Sequence, residues 1–121
     1  MNTTPITISI SDPWDVGEAL GWPTLRGVLL AFKHGDEGGS ALVRLTQPVT
    51  FGGVQWHHLI ASPRHVCDVI ADIETEKGVT CNCIGISDGQ AASDQPFDVS
   101  WWRGGGFTLR GRIARAFEPP G

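Results

Sequence analysis

Apolar and polar positions alternate with period two along much of the chain. Ile6, Ile8 and Ile10 are separated by Thr7 and Ser9, the pattern of a strand with one buried face. Val28, Leu30 and Phe32 alternate with Leu29, Ala31 and Lys33 and predict a second strand. The polar, glycine-rich stretch 34–39 then turns the chain into Ala41, Val43 and Leu45, which makes a hairpin. Pro48 ends that strand or marks an edge or bulge, because it cannot donate to a ladder. Val49-Thr50-Phe51, Gly52-Gly53 and Val54-Gln55-Trp56 form the clearest hairpin signal, since two glycines supply the positive φ of a tight turn. The outgoing strand runs to Ile60. Regular alternation puts Val54, Trp56, His58 and Ile60 on one face and Gln55, His57 and Leu59 on the other.

Val79–Ser87 is a continuous β-prone apolar run and predicts a central strand covered on both faces. Phe97, Val99 and Trp101 alternate with Asp98, Ser100 and Trp102. A turn at 103–106 leads into Phe107, Leu109, Gly111 and Ile113.

Two segments read as helical. Ser11 or Asp12 can cap a helix over Pro13 to Leu20, and Gly21 and Pro23 stop it. Val66, Val69, Ile70 and Ile73 fall at i, i+3, i+4 and i+7, an amphipathic helix stripe ending at Gly78. An irregular strand over 65–77 is the competing reading, because Val and Ile are poor helix formers. The sum is an α+β fold: a mainly antiparallel bent β-sheet or small barrel of about seven short strands, with one or two helices. Residues 1–121 make one domain, and 117–121 form a Pro-rich tail. No βαβ rhythm points to a parallel sheet.

Composition changes the picture in three respects. The net charge of −4 over 121 residues argues against a partner held by phosphate neutralisation. Three cysteines, Cys67, Cys81 and Cys83, do not make a disulfide framework. With no basic, apolar leader and no apolar run of membrane-spanning length, the expected location is the cytoplasm, with free thiols and no membrane contact.

Candidate chemistry is sparse. Cys81 and Cys83 share a strand face, but a one-residue gap is a poor fit to zinc, and buried cysteines behaving as small hydrophobes are the favoured reading. No metal and no cofactor are expected. Ser62 and His65 flank Pro63-Arg64 without a nucleophile elbow, so a turn is favoured over a catalytic pair. Asp12, Asp15 and Glu18 suit the first turn of a helix better than acid–base work. Arg110 and Arg112 lie on the outer face of the last strand, with Arg115 beyond. Together with Trp102 and Arg103 they could hold an anion, a nucleic-acid strand or an acidic partner surface, but charges protecting a sheet edge are the favoured reading.

Five tryptophans and no tyrosine occur. Trp56 and Trp101 fall on inward faces, whereas Trp14 and Trp22 flank the first helix and Trp102 sits beside Arg103. These residues predict a non-enzymatic binding or interaction module. Trp14, Trp22 and Trp102 are its apolar anchors, with Arg103 or Arg64 as the polar contact. The partner is a protein, a second copy of the chain, or a small ligand. The alternative is a small enzyme or ligand carrier with a pocket near His57, His65 and Cys67, drawing also on His58 and Asp98. No catalytic residue is assigned on either reading.

Overall fold

The computed structural model describes residues 4–12, 24–33, 39–51, 53–65, 69–75, 77–94, 97 and 108–116. Six strands, β1 (Thr4–Asp12), β2 (Thr24–Lys33), β3 (Ser40–Phe51), β4 (Val54–Pro63), β5 (Val79–Ile86) and β6 (Thr108–Arg115), pair in chain order. All neighbours are antiparallel, and β6 returns to pair with β1, which closes the sheet into a barrel. Mainly antiparallel β-structure and a small barrel are therefore as expected from the alternation. Six strands are described where about seven were expected. The strand expected from Phe97 falls outside the described residues except for Phe97 itself, which lies in a turn. The helix expected over 13–20 also lies outside them.

The interior is apolar. Ile6, Ile8, Leu29, Val43, Leu45, Val49, Leu59, Leu109 and Ile113 form its core with Ala41, Ala61, Cys81 and Cys83. No described polar or charged residue is buried. Eight strands make a barrel just wide enough for side chains to fill, so six leave less room still. Two buried interior positions hold glycine because there is no space for more. A Cβ on Gly111 would lie 2.9 Å from both Ile8 Cγ2 and the Ser9 carbonyl oxygen, and one on Gly27 would lie 2.5 Å from the Arg44 carbonyl oxygen.

A 3-10 helix (Ile70–Glu74) closes one end of the barrel against β6, β1 and β5. Ile70 and Ile73 are fully buried there, while Val69 is 50% exposed. The expected α-helical stripe is thus corrected. The tighter helix repeats every three residues and presents only the i, i+3 pair inward. The segment is tied to β6 by Thr75, whose carbonyl oxygen accepts from the Arg115 N–H at 3.2 Å.

Three register shifts break the strict alternation. In β2, Leu29 pairs with Val43 but Ala31 pairs with Leu42, so one extra residue is inserted. Leu29 points inward, Leu30 and Ala31 both join an outer cluster, and Phe32 returns to the core. β1 takes one extra residue between Ile10 and Asp12. Between β3 and β4 the register jumps from Arg44↔His58 to Val49↔Trp56. Here β3 passes four residues while β4 passes one, and Pro48 sits in this bulge, where its missing N–H does no harm. The jump also corrects the expected faces of β4. Trp56 shares the core with Leu59 and Ala61, whereas Ile60 faces outward.

The outer cluster consists of Leu42, Ile60 and Ile86, with Leu30, Ala31, Ala91 and Phe97 packed on it. Ala91 comes from a one-turn helix, α1 (Asp88–Ala91), whose first turn is capped by Ser87 Oγ accepting from the Gln90 N–H at 3.1 Å. β5 is corrected in the same way. Val79, Cys81 and Cys83 are fully inside, but Thr80, Asn82 and Ile84 on its outer face are only half-buried. A closed barrel has one interior, so the second face is covered only where α1 reaches it.

Candidate functional site

Strand direction sorts the connections. In an antiparallel barrel they alternate between the two ends. β1 ends at Asp12, β2 starts at Thr24, β3 ends at Phe51, β4 starts at Val54, β5 ends at Ile86 and β6 starts at Thr108. These six residues lie at one mouth. The opposite end, closed by the 3-10 helix, receives the β2–β3 and β4–β5 connections and the two chain termini.

At this mouth the bulge opposite 45–48 has a chemical consequence. Neighbouring residues on a regular strand point to opposite faces. Here His57 and His58 both reach the same carboxylate. His58 Nδ1 lies 3.0 Å from Asp88 Oδ1, and His57 Nδ1 lies 3.4 Å from Asp88 Oδ2. Asp88 is supplied by the first turn of α1, which follows β5 directly, so the pairing His58↔Ile86 brings its side chain alongside. The contact is a hydrogen bond donated to the carboxylate when His58 carries a proton on Nδ1, the tautomer that leaves Nε2 as the acceptor in the neutral ring. The His57 contact is within ion-pair range but poorly aligned. Its Nδ1 is shielded from solvent and makes no hydrogen bond, although the side chain as a whole is 42% exposed.

The carboxylate sits at the point on which the two rings converge. Among the described residues, no group of three His, Cys, Asp or Glu side chains is arranged to hold a metal ion. Cys81 and Cys83 share a face, as their spacing implies, and that face is the interior, where both are completely buried. The Cys81 thiol donates to the Val79 carbonyl oxygen at 3.5 Å. Burial pushes the Cys83 thiol well above the ordinary cysteine value, and the neighbouring Cys81 pushes it the same way.

The residues singled out from the sequence are divided between the two ends. His57 is half-buried at the mouth. Arg64 and His65 are exposed beyond the far end of β4, at the closed end. His57 and His65 are eight residues apart along nearly extended chain, roughly 25 Å, so they do not meet. Trp14, Trp22, Trp102 and Arg103 lie outside the described residues, as do Cys67 and Asp98. Trp56 is 8% exposed and belongs to the core.

No protein-family model, no curated protein and no solved structure matches this chain. The arrangement of residues is therefore the whole basis for a functional reading. Asp88 and its convergence with two adjacent histidines were missed in the sequence, because regular alternation separates His57 from His58. The only available signal was the Pro48 bulge. Among the described residues no helix is long and apolar enough to cross a membrane.

Proposed function

We propose that this chain is a non-enzymatic binding module whose contact surface is the mouth of the barrel at which segments 13–23 and 98–107 attach. The carrying observation is the strand direction. Segments 13–23 and 98–107 both join strand ends at this mouth. Trp14, Trp22, Trp102 and Arg103 belong to those segments in the sequence, and His57, His58 and Asp88 are described residues near this mouth. Tryptophans rimmed by polar groups are the composition of a binding hot spot.

The filled interior favours this reading over a ligand carried inside the barrel. The alternative of a pocket uniting His57, His65 and Cys67 draws less support, since the β4–β5 connection that carries His65 and Cys67 starts from the opposite end. Among the described residues, the Asp88-held His58 ring is the feature that suits an acid–base role.

Acrylamide quenching of single-tryptophan variants, run beside light scattering, tests the proposal. Trp14, Trp22 and Trp102 are expected to quench several-fold more readily than Trp56 in the monomer. Alternatively they are protected in a dimer and become accessible when it dissociates on dilution, which makes the partner a second copy. A monomer in which all three are as shielded as Trp56 would overturn the reading.

A further inference from the structure

The acidic net charge conceals a division. The six strands hold Arg26, Lys33, Arg44, Arg110, Arg112 and Arg115, six of the nine cationic side chains, but only Asp12 of the thirteen carboxylates. The other twelve carboxylates belong to the connections and the tail. Barrel closure also removes the simplest reason for the arginines. β6 pairs with both β5 and β1, so it is not an edge and needs no charged protection.

The cationic wall contains a groove. The β2–β3 ladder begins at Gly27↔Leu45, while β2 remains paired with β1 as far as Ser9↔Thr24. The β3–β4 ladder is interrupted between Arg44 and Val49. Thr46, Gln47 and Pro48 consequently have no register partner on either side, and the two strands separate. The space between them is about 290 Å³ and is lined by Thr24, Leu25, Arg26, Thr46 and Gln47. Thr24, Arg26, Thr46 and Gln47 are all exposed. Arg44 is exposed on the same outer wall, roughly 8 Å from Arg26 by strand geometry.

We infer that this groove binds a phosphate ester. The guanidinium of Arg26 supplies paired N–H donors in the geometry of a phosphate edge. The Thr24 and Thr46 hydroxyls and the Gln47 amide supply neutral donors around it. Arg44 adds a second positive charge within one Debye length at physiological salt. The volume suits a phosphorylated small molecule about the size of a sugar phosphate. The same chemistry is presented by a nucleic-acid backbone, but none of the residues lining the groove is aromatic, so it offers no surface for base stacking.

Calorimetric titration of the full chain with inorganic phosphate, a pentose phosphate and a short DNA duplex tests the inference. The pentose phosphate is expected to bind more tightly than inorganic phosphate. Arg26→Gln should weaken it roughly tenfold to a hundredfold, the usual worth of one charge-assisted contact. Thr46→Val should weaken it by less. Lys33→Gln, seven residues along the same strand, should leave it unchanged. Thermal unfolding of each variant confirms that the fold is intact. Absence of binding by all three probes, or binding that Arg26→Gln does not alter, would overturn the site. So would duplex binding weakened alike by Arg26→Gln, Arg44→Gln and Lys33→Gln, which would mean a diffuse cationic wall with no groove.

Discussion

Gly111 shows how little slack the interior leaves. An added methyl would press on a side chain, Ile8 Cγ2, and on backbone, the Ser9 carbonyl, both at 2.9 Å. Backbone cannot move aside as a rotamer can. Gly111→Ala should therefore cost about 1–3 kcal/mol, as overpacking of a tight core does, measured as a lowered denaturant midpoint at unchanged slope. Cys83 gives a pH-dependent test. Its thiol is raised in the folded state by burial and, less, by Cys81. A raised value stabilises the fold fully below the unfolded-state value, about 8.5, and that contribution is lost as pH climbs above it. Denaturant midpoints of the wild type should fall more steeply between pH 8 and pH 10 than those of Cys83→Ala. Equal slopes would mean that the thiol is not buried.

The elements of the barrel were readable because period-two alternation is strong in β1, β3, β5 and β6. Ile6 and Ile8, Val43 and Leu45, Cys81 and Cys83, and Leu109 and Ile113 all point where alternation sends them. Alternation fails at bulges, and bulges leave little mark on a sequence. The extra residue in β2 sends Leu30 and Ala31 to one side, and the jump opposite 45–48 brings His57 and His58 to one carboxylate. For the same reason the groove at Thr24, Arg26, Thr46 and Gln47 was not legible, whereas the arginines near it were. The 3-10 helix was half legible, since Ile70 and Ile73 suit either helical period and only Val69 tells them apart. At this scale Asp88→Ala tests how α1 is anchored. It removes both histidine contacts and the acidic residue of the first turn, but Ser87 still caps the helix. The expected loss is about 0.5–1 kcal/mol, typical of an exposed hydrogen bond with a helix-end contribution. A loss several times larger would mean that α1 is held chiefly through this carboxylate.

For the whole molecule, closure decides where function can lie. A barrel of six strands filled by isoleucine, leucine, valine and cysteine leaves no interior site among the described residues, and one end is stopped by Ile70 and Ile73. Among the described residues, what remains is the other mouth and the outer wall. The two proposals occupy those two regions, and each can fail without the other. Both depend on the seam between β1 and β6, where residues near opposite ends of the chain meet through pairs such as Ile8↔Ile113. Native-state amide hydrogen exchange across that seam is the most direct measurement. Ladder amides of β1 and β6 are expected to exchange as slowly as those of β3 and β4, through global unfolding. If one edge of either strand exchanged at the rate of exposed backbone while the β3–β4 ladder stayed protected, the sheet would be open, and the account of a closed, filled barrel would be wrong.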